Sequence, residues 1–225
     1  MDKVRTVSDT KRAFYSYHNR PINSIYRRVV EELMVEMHLL SVNIDFSPDP
    51  LYRLGVVTSF DRFMEGYLPE EDRESIFNAL CRATASDPQE YRREANFLLT
   101  IAKERSADEL IAWLASPTSL AEAEGIGQAL QAIANSPNYK YSRLLAIGLY
   151  TLLETAEPAL IKDEKSRNEA LNKLSELFHF SEEKMQKDLE IYRGNLEKMA
   201  QMLTALQDFL EADRKKREKA AQENS

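Results

Sequence analysis

Eight apolar residues near the C-terminus, Met185, Leu189, Tyr192, Leu196, Met199, Leu203, Leu206 and Leu210, follow one another at intervals of 4, 3, 4, 3, 4, 3 and 4. Such a sequence is an a/d seam, which only a helix presents along one face. The chain has no proline after Pro158. A single helix from Glu182 to about Lys219 is therefore expected, on the order of 57 Å long at ~1.5 Å per residue. That exceeds what a body of the remaining size covers, so its C-terminal half is expected to project. The alternative is that the part before Gly194 folds back as a core helix. Gly194 sits mid-helix, at a cost of about 1 kcal/mol relative to Ala, and is a candidate bend. The seam ends after Leu210, because the next seam position is Asp213.

Upstream, the same 3.6-residue period dominates, with no alternating β-branched runs joined by hairpin turns. Ser8 suits the cap of a short helix through Tyr17, and Pro21 suits the first position of a second helix. That second helix carries Ile22, Ile25, Tyr26, Val29, Val30, Leu33, Met34, Met37 and Leu40 on one face. Asp49-Pro50 and Asp87-Pro88 each place an N-cap before a helix-start proline, and Gly66 suits a left-handed stop after Leu51–Glu65. Pro69–Thr84 reads as a helix, Ser106-Ala107-Asp108-Glu109 as a capping box, Ser119 as the start of a helix towards Asn135, and Asn135–Asn138 as a turn. Tyr141–Thr155 is apolar on most sides and should form the centre of the core. Lys165–Phe178 is a shorter amphipathic helix.

The expected fold is all-α: a single helical-bundle domain with a long, partly projecting C-terminal heptad helix. The body spans 1–180, beginning with a basic arm and short helix over 1–20. Residues 181–225 form the coiled-coil-like helix with a frayed end. A chain of 225 residues with 43% hydrophobic content is long enough for one such core. The longest apolar run, Leu144–Leu153, is ten residues, half of the ~20 that a bilayer span needs.

Lys and Arg number 30 against 37 Asp and Glu, a net charge of −7 that disfavours nucleic acid. Residues 1–30 run the other way, with seven basic groups against Asp2 and Asp9, or +5, leaving −12 for the rest. Arg5, Lys11, Arg12, Arg214, Lys215, Lys216 and Arg217 are candidate contacts for an anionic surface. A solvated basic end, and charge that complements the helix dipole, are the plainer readings.

Catalytic and metal-binding patterns are not found. His18, His38 and His179 form no i, i+4 pair, and Glu36 and His38 are two apart rather than the three that a di-iron helix uses. Gly125-Ile126-Gly127 lacks a preceding strand and reads as a helix break. Asp61 and Glu65 suit ion pairs with arginine better than a cation site. Cys81, the only cysteine, excludes an internal disulfide and reads as a core filler. No catalytic residue, cofactor or metal is expected.

Several blocks nevertheless form a specific pattern. They are Arg20-Pro21-Ile22-Asn23-Ser24-Ile25-Tyr26, Glu32-Leu33, His38-Leu39-Leu40, Asp49-Pro50, Leu54-Gly55-Val56-Val57-Thr58, Asp61 and Met64-Glu65-Gly66-Tyr67. Asp87-Pro88, Tyr91-Arg92, Tyr141-Ser142-Arg143, Gly148-Leu149 and Lys187-Asp188-Leu189-Glu190-Ile191-Tyr192-Arg193 complete it. Together, from about residue 6 to 194, they resemble the thylakoid formation family, also described as photosystem II biogenesis proteins. The start of the chain close to the shared region suggests a cyanobacterial member, since plant members begin with a transit peptide.

The resemblance implies a non-enzymatic auxiliary factor for thylakoid organisation and photosystem II biogenesis and repair. It implies partners in the membrane-bound FtsH protease complex and photosystem II assembly components. It also implies a peripheral place on the cytoplasmic side of the thylakoid membrane, with a soluble pool. The heptad residues Tyr192, Leu196, Met199, Leu203, Leu206 and Leu210 are the candidate partner-binding set. A helical ligand or cofactor carrier, and a homo-oligomeric membrane tether, are the alternatives.

Overall fold

The computed structural model describes residues 5–117, 124–136 and 139–223, with backbone alone for a few positions near the C-terminus. These residues are all-α, as the periodicity predicts. The chain divides into two compact units, Met1–Leu189 and Glu190–Ser225.

In the first unit, α1 (Val7–Tyr17) opens with a capping box in which Thr6 and Asp9 exchange hydrogen bonds. The cap is thus Thr6, not Ser8, because Asp9 three residues on returns the bond. The second helix, α2 (Ser24–Ser41), starts later than Pro21 suggests. Asn23 accepts from the Ile25 N–H at 3.1 Å, which leaves Pro21 and Ile22 in the extended approach. Asp49 caps α3 (Pro50–Phe63) through the Leu51 and Tyr52 N–H groups at 2.8 and 2.9 Å, and Asp87 caps α5 (Pro88–Lys103), each with proline in the first turn. After α3 the chain turns at Gly66, φ +73°, a conformation that suits glycine.

Between these, α4 (Glu71–Ala83) starts without a side-chain cap. The Ser106–Glu109 box opens α6 (Ala107–Ala115). Gly125 and Gly127 lie within α7 (Glu124–Ala134) and do not break it. Ser119, Pro137 and Asn138 are outside the described residues. Ser142 caps α8 (Arg143–Ala156), a short α9 (Pro158–Lys162) follows unforeseen, and α10 (Glu164–Leu177) is capped by Asp163. The last helix, α11 (Glu182–Glu223), runs 42 residues.

The centre of the body is the α3–α8 pair. Leu144 through Leu153 are all buried, and so are Pro50 through Phe60 apart from the half-buried Arg53. The two backbones come this close because each offers a glycine to the other. A Cβ on Gly55 would lie 1.7 Å from the Leu144 carbonyl oxygen, and one on Gly148 would lie 2.1 Å from the Leu51 carbonyl oxygen. Both glycines belong to blocks that carry the family resemblance, and their role is packing. On one side α5 closes over α3, with the Arg53 guanidinium donating to Glu94 at 2.6 Å and lying 3.3 Å from Glu90. α1 packs on α4, and α2 on α1 and α3.

Asp61 ends in an ion pair with Arg92 of α5 at 2.6 Å, as expected from an arginine on a neighbouring helix. Arg92 also stacks 4.0 Å from the Phe77 ring. Cys81 is a buried filler whose thiol is pushed up to about 12 by burial. It is therefore no nucleophile at neutral pH.

Candidate functional site

With the interior filled by packing and ion pairs, function has to be sought on the surface. Two surfaces stand out, one in each unit. On α11, Met185 and Leu189 are buried in the body. In the second unit the expected partner-binding residues grade along the helix. Tyr192 and Met199 are buried, Leu196 and Leu203 half-buried, and Leu206 exposed; the side chain of Leu210 is outside the described set.

Three apolar residues in this stretch are far more exposed than chance solvation of a helix requires: Met202 at 51%, Leu206 at 36% and Phe209 at 68%. Their spacing of four and three makes a stripe that shares only Leu206 with the heptad seam. Met202 and Phe209 were missed because the seam template excludes them. Their signal was an i, i+7 apolar pair beside it.

Of the candidate anionic contacts, Lys11 lies 2.9 Å from Glu31 and Arg12 3.3 Å from Asp9, while Lys215 stands 4.0 Å from Glu211. Arg5 is half-buried close to His38, and Arg214 is exposed; the Lys216 and Arg217 side chains lie outside the described set. Arg20 and Arg28, also in the basic N-terminal stretch, pair with Asp72 and Glu32. Much of the +5 excess is thus already neutralised locally.

The second surface is an open groove of about 990 Å³ beside α2, walled by Tyr141–Arg143 before and at the start of α8, and by Lys184 and Asp188 of α11. Its apolar part is Val35, Leu39 and Leu40, with Leu39 57% exposed. Val35, Leu39 and Val42 recur at four and three on the face of α2 away from the buried Val30, Leu33, Met34 and Met37. The helix is apolar on two sides, and only one is covered by the body.

The polar wall is tied together. Tyr141 donates its hydroxyl to Asp188 at 2.8 Å, Lys184 Nζ sits 4.8 Å over the Tyr141 ring, and Arg143 pairs with Glu36. Burial and the Asp188 carboxylate push the Tyr141 hydroxyl far up, so it stays a donor. Glu36 is thereby occupied by an arginine. Open to solvent along one side, the groove does not provide the enclosure that small-ligand sites use.

His18 and His38 are held by hydrogen bonds inside the body. His38 Nδ1 shares a hydrogen bond with Thr10 Oγ1 at 2.8 Å and His18 Nδ1 with Ser75 Oγ at 3.0 Å. Burial lowers the pKa of both. Among the described residues no group of three or more His, Cys, Asp or Glu converges as metal ligands would, and no helix is long and apolar enough to cross a membrane.

The first unit is an all-α body built on a glycine-crossed helix pair, and the second carries an exposed apolar stripe on α11. Residues 6–221 match the family model described as thylakoid formation protein, so the match takes in most of α11 as well as the body. The chain is 60% identical over 225 residues to Protein Thf1 of Nostoc punctiforme, covering 100% of this chain and 96% of the relative. It is 58% identical over 219 residues to Protein Thf1 of Gloeothece citriformis, covering 97% of each. A solved structure of Psb29 superposes with a TM-score of 0.81 at 44% identity, over 95% of this chain and 98% of that one. The chain belongs to the thylakoid formation protein family.

Proposed function

We propose that the protein is a non-enzymatic auxiliary factor in photosystem II biogenesis and repair and in thylakoid organisation, acting by association with the membrane-bound FtsH protease complex. In this reading it sits peripherally on the cytoplasmic side of the thylakoid, with a soluble pool, and meets its partner through the distal part of α11. The observation that carries the reading is the exposed stripe Met202–Leu206–Phe209 on the 42-residue helix α11. Burying an apolar side chain of this size contributes about 1.5–3 kcal/mol, so three of them, with Leu203, supply a gain of the same order as the cost of association. Family membership and the absence of a spanning helix among the described residues support the place of action.

The test is affinity capture of tagged protein from detergent-solubilised thylakoid membranes, comparing the full chain with a Leu206→Glu/Phe209→Glu variant. FtsH should be recovered with the former and reduced at least about tenfold with the latter, since two lost anchors exceed 1.4 kcal/mol. Equal recovery moves the contact off the stripe. Absence of FtsH from both removes the FtsH association.

A further inference from the structure

The groove on α2 is independent of the α11 stripe, and its charges are arranged unevenly. Its lining holds four cations and four carboxylates, but the two sets are not equally occupied. Glu31 is engaged by Lys11 and by the Tyr15 hydroxyl, Glu32 by Arg28, Glu36 by Arg143, and Asp188 by the Tyr141 hydroxyl. Arg27 and Lys184 are both exposed, and neither has a carboxylate within 4 Å among the described residues; Lys184 rests on the Tyr141 ring alone. Each of the four carboxylates thus already holds a cation or a hydroxyl, whereas Arg27 and Lys184 hold no carboxylate at ion-pair distance among the described residues. Alongside them lies an apolar strip, Val35 and Leu39, one helical turn apart and open to solvent.

We propose that this groove docks an amphipathic helical segment of a partner protein, one that lays apolar side chains on Val35 and Leu39 and offers a carboxylate to Arg27 or Lys184. Side chains spaced three and four apart on the incoming helix fit between those of α2, as ridges fit grooves in helix packing. The carboxylate sets register and orientation, because Arg27 and Lys184 are fixed points beside the apolar strip. A charged lipid surface fits less well: the eight charges of the lining sum to zero and attract no uniformly charged plane. This site goes beyond the proposed contact through α11 and is tested separately from it.

A photoreactive benzoylphenylalanine at position 39 of the full chain, irradiated in isolated thylakoid membranes, reports what lies on the strip. The expected adduct joins residue 39 to a peptide of another protein that has apolar residues at three- and four-residue spacing and at least one Asp or Glu. Its yield should fall at least tenfold in Arg27→Glu/Lys184→Glu chains whose helicity and melting match the parent. It should be retained in Lys184→Arg, and be unchanged by Phe209→Glu, which separates this site from the α11 stripe. An adduct to lipid, to a second copy of this chain or to a basic segment overturns the proposal. So does no adduct, or a yield indifferent to the charge reversal.

Discussion

Leu144–Leu153 of α8 and Ala200–Phe209 of α11 are both ten helical residues, yet they lie at opposite extremes of burial. Every residue of the first is buried, and in the second only Leu203 is even half-covered. In α8 the apolar side chains surround the axis, so no orientation leaves it content in water, and it sinks between α3, α5 and its other neighbours. Its burial is made possible by backbone contact at Gly55 and Gly148. The distal α11 keeps Gln201, Thr204, Gln207 and Asp208 between its apolar residues and draws on local pairs such as Gln201–Glu197 and Lys215–Glu211. Such pairs are each worth only a few tenths of a kcal/mol. One region thus specifies the fold, and the other is left exposed to solvent.

The largest effect that separates them is steric. Gly55→Ala puts a methyl group into the Leu144 carbonyl, a backbone atom that cannot swing away. Its cost should exceed the ~1–3 kcal/mol of ordinary overpacking and reach about 4 kcal/mol. A calorimetric melt should show Tm lower by more than about 8 °C, at ~2–4 °C per kcal/mol for a domain of this size. A matched pair of truncations comes next: Leu149→Ala should cost ~2–5 kcal/mol by cavity formation, whereas Phe209→Ala should stay within about 0.5 kcal/mol in the free protein. Urea unfolding measures both, and a similar loss at the two sites breaks the comparison.

A smaller effect comes from the histidines of the body. Burial lowers His18 and His38 below the ordinary value of 6.5. The unfolded chain therefore binds more protons than the folded one just below that pH, and the stabilisation present above 6.5 is lost as pH falls towards the lowered folded values. Tm should decline between pH 7.5 and 5.5, and less steeply in His18→Asn. The smallest effect has the opposite sign from the first: Gly194→Ala, at a helix position with nothing within 4 Å of the new methyl, should stabilise α11 by up to ~1 kcal/mol, seen as added helicity and slower amide exchange.

The elements legible in the sequence are those whose cause is local. Asp49-Pro50, Asp87-Pro88 and the Ser106 box carry their own capping chemistry, and the all-round apolar Leu144–Leu153 can go nowhere but inside. Ser8 and Pro21 misled by two and three residues, because Thr6 with Asp9, and Asn23, made better caps nearby. The end of α4 was not marked by a glycine: Ala85 takes the left-handed position, φ 60°, while the Ser86 N–H bonds back to Cys81 O at 2.9 Å. The groove was out of reach for a different reason. Val35 and Leu39 are ordinary helix residues until one knows that Tyr141, Lys184 and Asp188, more than a hundred positions later, stand beside them. Met202 and Phe209 were visible as residues but hidden by the heptad template.

Hydrogen exchange of the full chain, with and without the purified FtsH complex, tests the docking account most directly. The account predicts that amides of residues 200–210 slow at least tenfold on addition of the complex, while those of α8, already protected by burial, do not change. No slowing anywhere on α11, or protection confined to the body, would contradict it.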